Sequence, residues 1–531
     1  MAAVLVSFDE GAIRSAHAGV SDETLIYFGQ GGQQTVSGSL HVLETGDGFY
    51  LVDVGGFMGG AGSNYPWPPE IPVARIRALF ITHTHADHIG RLPLLLHQGY
   101  RGPIHLSRVS YELARITLPA NLHLVDLGPE RFYHSRRHIG RERIPVFLEG
   151  YDFAESSVHP DNRIYFESHR PRLAEQGYYL ARPQRQKLEA ELLHRLAEQA
   201  VITDPGQPFS VDGLSVRFLP TPHMPGSVMV ELDHRGFKIL FSGDTGANGS
   251  SLLPDNPDFS ETVDLLILEG TYADDRELDI ALSRDDFRRE LAAAVAEGYR
   301  VVIPAFVLDR SQQVAREVGL AVATGLLPPE QVIRVCSPAA HELLLLYADF
   351  ARRRDEFAAY FKPEVRESDF LPPGYRFGCR GEQPGNPLGL EHGEIGIMSS
   401  GMADHASARQ ALLDYLEDPK TLFYFTGYQA PGSLGGRLTA GQKPPSELKI
   451  GAQRRMVKAK IAQTSAFSGH ASPREMIRIF AETHPQQILL VHLDQSRATT
   501  LANLYRQAFQ AEIITPKRSE RQLIYPDLLA E

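Results

Sequence analysis

Short apolar runs alternate with polar positions through the first third of the chain, and they predict strands joined by tight turns. Residues 38–56, GSLHVLETGDGFYLVDVGG, predict a hairpin because a G-D-G turn separates two alternating runs. Residues 209–221 and 228–244 repeat this pattern, each with a glycine at its turn. Between these hairpins, RALFIT at 77–82 predicts a short buried strand and ADHIGRLPLLLHQG at 86–99 predicts a helix. We therefore expect two β-rich layers with flanking helices.

Helix and strand alternate from about residue 271 onward. Apolar strand candidates lie at 300–306, 331–336, 394–398 and 421–427, with helical stretches between them. This alternation predicts a mostly parallel sheet. After about residue 450 a return segment follows, with a helix that starts at Ser472 and a last apolar strand that ends at His492.

Length and composition place the chain among globular proteins with more than one domain. Its 531 residues exceed one ordinary core, and 43% hydrophobic with 22% charged residues is an ordinary globular balance. No apolar run approaches the roughly 20 residues of a membrane span. Asp9 and Glu10 occupy positions where a signal peptide would carry basic residues. We therefore expect a cytoplasmic protein with no membrane partner.

The net charge of −12 repels polyanionic ligands. Binding of a nucleic-acid substrate would therefore depend on local basic patches and on metal ions. Residues 135–143 and 449–460 are two basic runs, although such runs are more often solvated faces. The chain has only two cysteines, Cys336 and Cys379, which exclude a thiolate zinc cluster. Any metal must therefore be held by histidine and carboxylate side chains.

The segment ITHTHADHIGRLP at 81–93 gathers His83, His85, Asp87 and His88 where a predicted strand ends. The histidines of the H-x-H pair project to one side because side chains alternate along an extended chain. The following D-H pair aims at a second point where the helix begins. Imidazole and carboxylate groups are the ligands that zinc and similar cations prefer. The segment therefore predicts two ligands for each of two metals.

Further candidate ligands follow other predicted strands. His223, Asp244 and His492 each lie directly after an apolar strand, and side chains at such positions gather at one edge of a sheet. Asp53 ends the strand FYLVD and is a candidate to orient a ligand histidine. Taken alone, His492 is equally consistent with an ordinary core or surface histidine. Together with the H-x-H-x-D-H segment, these residues predict a metal site.

These motifs and their order resemble the metallo-β-lactamase fold. The resemblance covers the H-x-H-x-D-H segment, the preceding strand-end aspartate, a later histidine and SGDTG at 242–246. The second half narrows it to the β-CASP nucleases, whose extra motifs correspond here to Glu269 in LLILEGTY, His470 in AFSGHASPREM and His492 in LLVHLD. The segments VVIPAFVLDRSQQV, MSSGMADHASARQ and FTGYQAPGSLGGRL are also similar to that family. The histidine motif looks most like the pre-mRNA 3′-end endonuclease branch and its prokaryotic relatives.

The resemblance implies an α/β fold, namely an αβ/βα metallo-β-lactamase sandwich with an inserted Rossmann-like β-CASP domain. Residues 1–270 would form the N-terminal part of the sandwich, residues 271–450 the β-CASP domain, and residues 451–531 the C-terminal return segment. The stretch between the first and the later histidine ligands is longer than in compact members. An accessory insertion is therefore expected at about 107–205.

By the same resemblance, two metal ions are expected, zinc first and manganese as the alternative. The family assigns seven side chains of this chain to them. The first ion would be held by His83, His85 and His223, the second by Asp87, His88 and His492, with Asp244 bridging the two.

The expected reaction is hydrolysis of RNA by a hydroxide that bridges the two metals. Single-stranded RNA is the expected substrate. Histidine at the last motif is typical of RNA-acting members, whereas DNA-repair members typically carry valine, so His492 points to RNA. His470 is the candidate general acid and Glu269 its orienting carboxylate, and Asp87 and Asp53 complete the expected catalytic group. Two alternatives stay open: a DNA nuclease on the same scaffold, and a small-molecule metallo-hydrolase of the thioesterase or lactonase type.

Candidate substrate contacts lie in the second domain. They are Arg310, Ser400, Gly401, Gly432, Ser433 and Arg437. The small residues of SSGMADH and GYQAPGSLGG let backbone N–H groups approach phosphates, but turns of a Rossmann-like sheet explain them equally well. Homodimers are common among members of the family, and a homodimer is an open expectation for this chain.

Overall fold

The computed structural model describes residues 6–8, 25–57, 67–122, 138–139, 142–143, 182–259, 261–272, 280–378, 388–441 and 443–524. The chain forms two compact units. Unit 1 comprises residues 1–245, 256–275 and 470–531, and unit 2 comprises residues 246–255 and 276–469. The domain boundaries inferred from the sequence stay a prediction beside this division.

The strands and helices of the described residues have the following bounds. The strands are β1 (Val6–Phe8), β2 (Leu25–Gly29), β3 (His41–Thr45), β4 (Gly48–Val52), β5 (Ile76–Phe80), β6 (Ile104–Leu106), β7 (His138–Ile139), β8 (Glu142–Arg143), β9 (Ala200–Ile202), β10 (Phe209–Val211), β11 (Leu214–Pro220), β12 (Val228–His234), β13 (Phe237–Phe241), β14 (Leu265–Glu269), β15 (Arg300–Pro304), β16 (Ile333–Val335), β17 (Tyr375–Phe377), β18 (Ile395–Met398), β19 (Thr421–Phe425), β20 (Glu447–Ile450), β21 (Gln453–Met456), β22 (Lys460–Gln463), β23 (Gln487–Val491), β24 (Glu512–Ile514) and β25 (Arg521–Ile524). The α-helices are α1 (Ala86–Ile89), α2 (Leu92–His97), α3 (Arg108–Asn121), α4 (Arg182–Gln199), α5 (Ile280–Ala296), α6 (Arg310–Ala323), α7 (Pro338–Arg352), α8 (Glu367–Phe370), α9 (Ala406–Tyr415), α10 (Leu434–Thr439), α11 (Pro473–Phe480) and α12 (Gln495–Phe509). Short 3-10 turns lie at Val73–Arg75 and Ala481–Thr483.

Two sheets pack face to face in unit 1. The first has the order β1-β25-β2-β3-β4-β5-β6-β9 and the second the order β10-β11-β12-β13-β14-β23-β24. On β4, Tyr50 and Val52 enter a core that also contains Phe218 and Ile267 of the second sheet. Alternate residues of the same strand, such as Leu51, enter a different core with the leucines of α2. This layering of helix, sheet and sheet is the sandwich that the sequence predicted.

The hairpins of unit 1 confirm the turn chemistry read from the sequence. Asp212 and Gly213 connect β10 to β11 with φ angles of 49° and 89°. Arg235 and Gly236 connect β12 to β13 with φ angles of 54° and 90°. Two successive positive φ angles are typical of the type I′ turn, whose twist matches that of antiparallel strands.

One predicted element was wrong. The sequence predicted a single helix at 86–99, but the structure has two short helices, α1 and α2. Pro93 has no N–H to donate to the carbonyl four residues earlier, and its ring would clash with that carbonyl, so α1 ends before it. At the break, the Arg91 N–H bonds to the Val54 carbonyl at 2.8 Å, and its buried guanidinium donates to the Gly55 carbonyl. These bonds tie the loop after β4 to the histidine-rich segment.

Neighbouring parallel strands of the second sheet end at one edge. Phe241 of β13 is level with Ile267 of β14, and Glu269 of β14 is level with Val491 of β23. The residues that follow these strands therefore emerge side by side. On the outer side, Leu501 of α12 lies against the backbone at the end of β14.

Unit 2 contains the parallel sheet that the alternating pattern predicted. Its order is β17-β16-β18-β15-β19-β22, and every strand pair in it is parallel. The central strands β15, β18 and β19 are buried apolar runs, as expected for strands covered on both faces. The edge strands β17 and β22 were not predicted from the sequence, because they are short and largely polar or exposed.

The expected insertion at about 107–205 and the basic run at 135–143 fall mostly outside the described residues. At its two ends, the chain leaves the first sheet through β6 and returns through β9, which pairs with β6 in parallel. Within the described parts of the chain, no helix has both the length and the apolar character needed to cross a lipid bilayer.

Candidate metal centre

The H-x-H-x-D-H segment changes from extended backbone to helix at its centre. His85 is the residue before α1 and has extended φ and ψ angles of −64° and 149°. Asp87 and His88 lie in the first turn of α1, so their side chains point away from the direction set by the extended residues. The sequence predicted this division into two pairs.

The first group of candidate ligands brings together three histidines. The Nδ1 atom of His85 lies 3.1 Å from His83 Nε2 and 3.1 Å from His223 Nε2. The Oδ2 atom of Asp244 lies 3.6 Å from each of those two Nε2 atoms. Ligand atoms at about 2.0–2.1 Å from a tetrahedral zinc ion are about 3.3 Å apart, so this group fits a cation.

The second group contains Asp87, His88 and His492. His88 Nε2 lies 3.3 Å from Asp244 Oδ1, and His492 Nε2 lies 3.5 Å from Asp87 Oδ2. Three atoms of this region, His88 Nε2, His492 Nε2 and Asp244 Oδ1, are buried without a hydrogen-bond partner among the described residues. Buried polar atoms normally have a partner, and a bound cation would satisfy all three.

The Asp244 carboxylate lies between the two groups. Its Oδ2 faces His83 and His223, and its Oδ1 faces His88. The side chain is 2% exposed, so both oxygens are removed from bulk water. One carboxylate thus presents a separate oxygen to each group of candidate ligands.

Asp53 and Thr82 hold the ring of His88 from behind. His88 Nδ1 lies 2.7 Å from Asp53 Oδ2, and Asp53 in turn accepts hydrogen bonds from the Thr82 N–H at 2.8 Å and from its hydroxyl. This contact places the Nδ1 proton toward Asp53, so Nε2 is the nitrogen that faces the site and would bind a cation after losing its proton. Asp53 has a φ of +62° and His492 a φ of +53°, conformations that cost energy in residues with a side chain.

Two of the supporting residues were missed from the sequence. They are Thr82, and Thr271, whose hydroxyl lies 2.9 Å from His492 Nδ1. Thr82 directly precedes His83, the first candidate ligand, and Thr271 follows Glu269 by two positions, which is the available sequence signal. Their roles depend on which strands are neighbours, and local patterns do not carry that information.

Burial and charge divide the histidines into two kinds. Burial lowers the pKa of His83 well below its usual value and the pKa of His85 to about 4, so both are neutral. Burial also opposes a charge on His88, but the carboxylates of Asp244 and Asp53 outweigh it and hold the His88 pKa well above its usual value. A cation would have to displace the proton from His88, so metal binding should release protons and weaken as the pH falls.

His470 and Glu269 form a pair beside the first group. His470 Nδ1 lies 2.9 Å from Glu269 Oε1, and Glu269 also accepts the N–H groups of Thr245 at 2.9 Å and Thr271 at 3.2 Å. Burial alone would lower the pKa of His470, but the Glu269 carboxylate raises it to about 10. The ring centre of His470 is 4.8 Å from that of His223.

The candidate substrate contacts lie in unit 2 and differ in their surroundings. Arg310 is the first residue of α6 and donates through Nη1 to the Thr426 carbonyl. The Ser433 hydroxyl is engaged as the cap of α10, since it accepts the Gly436 N–H at 2.8 Å. Arg437 is exposed and donates to the Lys449 carbonyl at 3.2 Å. Ser400 and Gly401 are buried after β18, whereas Gly432 is exposed.

Replacing Asp53 by asparagine should weaken metal binding about 10- to 100-fold, because the amide no longer fixes the His88 tautomer. Equilibrium dialysis at mildly alkaline pH, where proton competition is weak, measures this change. Asp212→Asn is the matched control, because Asp212 lies in a hairpin of the same unit and pairs with the exposed Arg77. Equal affinities for the wild type and Asp53→Asn would contradict the orienting role.

A two-sheet sandwich with a buried histidine and carboxylate cluster at the ends of its strands defines a metal-dependent hydrolase. Three domain families match the sequence: the metallo-beta-lactamase superfamily at residues 35–113, the Beta-Casp domain at residues 323–438, and the Zn-dependent metallo-hydrolase RNA specificity domain at residues 454–516. The chain therefore contains regions that match the metallo-β-lactamase, β-CASP and RNA-specificity domains, and the resemblance seen in the sequence is confirmed.

Several proteins with assigned names are similar over most of their length. Ribonuclease TTHA0252 from Thermus thermophilus is 27% identical over 492 residues, which cover 89% of this chain and 94% of that protein. Transcription termination factor FttA from Methanothermobacter thermautotrophicus is 24% identical over 513 residues, which cover 92% of this chain and 70% of that protein. An RNase J-like protein from Methanocaldococcus jannaschii is 26% identical over 318 residues, 58% of this chain and 70% of that protein.

Proposed function

We propose that this protein is a ribonuclease that hydrolyses phosphodiester bonds with two divalent cations held in unit 1. The observation that carries the proposal is the position of Asp244, whose two oxygens face separate groups of histidines at 3.3 to 3.6 Å. RNA as the substrate is supported by the match to an RNA specificity domain and by the relative that is named a ribonuclease.

The residues that would hold the two cations form the two groups described above, with Asp244 between them. One ion would be held by His83, His85 and His223, the other by Asp87, His88 and His492, and Asp244 would contribute one oxygen to each. The imidazole and carboxylate set without thiolates suits zinc and accommodates manganese. When bound, two such cations activate water as a nucleophile and neutralise charge on the phosphate.

The leaving oxygen of the scissile bond needs a proton, and His470 is positioned to supply it. Its Nδ1 proton is held by Glu269 at 2.9 Å, so a proton for transfer must come from Nε2. The Glu269 charge keeps the ring protonated near neutral pH, because it raises the His470 pKa. Glu269 is itself fixed by the Thr245 and Thr271 N–H groups, which keeps the imidazole in one orientation.

Labelled single strands of RNA and DNA with one sequence test the proposal. The protein is first stripped with a chelator, and zinc or manganese is then added back in separate reactions. We expect no cleavage by the stripped protein, recovery with metal, and RNA cleavage at least about tenfold faster than DNA cleavage because only RNA offers the 2′-hydroxyl.

The product pattern on end-labelled RNA also separates the modes of action. A ladder of fragments indicates endonuclease action, and mononucleotides indicate exonuclease action. Faster cleavage of DNA would replace the proposal with the DNA nuclease alternative. Inertness toward both strands together with hydrolysis of a thioester or lactone would replace it with the small-molecule alternative.

A further inference from the structure

The parallel sheet of unit 2 has a topological switch point between β15 and β19. After β15 the chain passes through α6 to β16, which lies toward the β17 edge of the sheet. After β19 it passes to β22, which forms the opposite edge. The two strands are direct neighbours, with Val301 level with Leu422. In open α/β sheets, ligands bind outside the carboxyl ends of the strands where the direction of the connections reverses.

Two large aromatic side chains are exposed at this point. Phe306 follows β15 and is 42% exposed, and Tyr428 follows β19 and is 55% exposed. Single exposed apolar residues are common on protein surfaces. Here, however, the two aromatic residues directly follow the two strands that flank the switch point, where a ligand is expected.

The backbone around both rings is fixed by buried contacts. The Phe306 ring lies against Gly401, where an added Cβ would be 2.8 Å from the ring. The Gln429 amide donates to the Gly401 carbonyl at 3.1 Å, which connects the loop that carries Tyr428 to the loop after β18. The Ala305 N–H bonds to the Met398 carbonyl at 2.8 Å and fixes the residue before Phe306. The exposed rings therefore stand on ordered loops.

Polar groups suited to a sugar-phosphate chain lie in the same loops. Ser400 is 7% exposed, and its hydroxyl is buried with no hydrogen-bond partner within the described chain. The Arg310 guanidinium lies beside the loop of Tyr428, since it contacts the Thr426 carbonyl and the Gly427 backbone. The nearby Asp404 carboxylate is engaged, because it accepts the N–H of Leu434 at 2.8 Å.

We propose that Phe306 and Tyr428 are stacking platforms for the bases of single-stranded RNA at the switch point of unit 2, with Ser400 and Arg310 contacting the sugar-phosphate chain. This inference rests on the proposed function for its choice of substrate. Aromatic side chains stack with any base because every base has a π-face, so the platforms bind strands with little sequence preference. The ligand class is therefore an unpaired polynucleotide with accessible bases.

Binding of base-bearing and abasic strands of equal length tests the inference. The probes are labelled RNA strands of about 12 nucleotides with phosphorothioate linkages that resist hydrolysis, and matching strands without bases. The metal-loaded full chain is titrated, and fluorescence anisotropy gives Kd. Phe306→Ala and Tyr428→Ala should each weaken binding of the base-bearing strand about 5- to 100-fold, with Kd for the abasic strand within about twofold of wild type.

Conservative and matched variants separate stacking from a general loss of structure. Tyr428→Phe and Phe306→Tyr should retain binding because each keeps an aromatic face. Phe377→Ala is the control, because Phe377 is also an exposed aromatic residue of unit 2, 53% exposed, but lies at the end of the edge strand β17. Thermal unfolding of each variant checks that unit 2 remains folded.

Two results would overturn the inference and leave the proposed function intact: unchanged binding of the base-bearing strand by both alanine variants, or equal weakening for base-bearing and abasic strands. Unchanged RNA binding combined with loss of a protein partner would assign the platforms to that partner instead. A wild-type protein that neither binds nor cleaves RNA would overturn the proposed function and this inference together.

Discussion

Replacing Asp244 by alanine is expected to release bound metal and to lower RNA cleavage by at least about 10³-fold. Both of its oxygens face candidate ligands, so alanine removes one ligand from each group at once. It also removes the carboxylate that raises the pKa values of His88 and His492. The main expected effect is therefore the loss of one anionic ligand from each group of candidate ligands.

Metal content of purified protein, measured by inductively coupled plasma mass spectrometry beside RNA turnover, checks this expectation. Asp233→Ala is a matched control, because Asp233 lies on β12 of the same sheet and accepts the turn N–H of Gly236 at 2.8 Å. Thermal unfolding separates metal loss from unfolding. Two ions retained per chain in Asp244→Ala would refute the bridging position.

Replacing His470 by alanine should leave metal content unchanged and lower RNA cleavage about 10²- to 10⁴-fold, the range typical of a lost general acid. His470 is hydrogen-bonded to Glu269 and is not among the seven candidate ligands, so we expect cation binding not to need it. The defect should be much smaller for a phosphodiester with an aryloxide leaving group, because such a group departs without a proton. Equal defects on RNA and on the aryl substrate would contradict proton donation.

The pH profile of kcat/KM adds an independent readout of the same pair. A general acid acts in its protonated form, so cleavage falls as the pH rises through its pKa. Glu269 is the group that raises the His470 pKa against the effect of burial. Glu269→Gln should therefore move the alkaline limb of the profile to lower pH, and His470→Ala should abolish that limb.

The candidate metal centre was predictable from the sequence because many of its candidate ligands are local. The four candidate ligands of the H-x-H-x-D-H segment lie within six positions, and period-two alternation followed by a helix start divides them into pairs. Asp244 and His492 were predicted as ligands because each follows an apolar strand, a signal that points to one edge of a sheet. Which oxygen of Asp244 faces which histidine required the fold.

Features that depend on neighbouring strands were not accessible. Thr82 and Thr271 resemble any other threonine in the sequence, and their contacts with Asp53 and His492 arise from strand order. The break caused by Pro93 was readable in principle, but the apolar pattern outweighed it. In the same way, Phe306 and the region after β19 were matched to family segments, but their place beside the switch point became visible only with the sheet order.

Anomalous X-ray scattering at the zinc edge, from crystals of the wild-type protein soaked with zinc, tests the central claim most directly. We expect two peaks about 3.5–4 Å apart, one on each side of Asp244, with the Nε2 atoms of His83 and His88 bound to different ions. A single peak, or peaks away from Asp244, would contradict the two-metal centre.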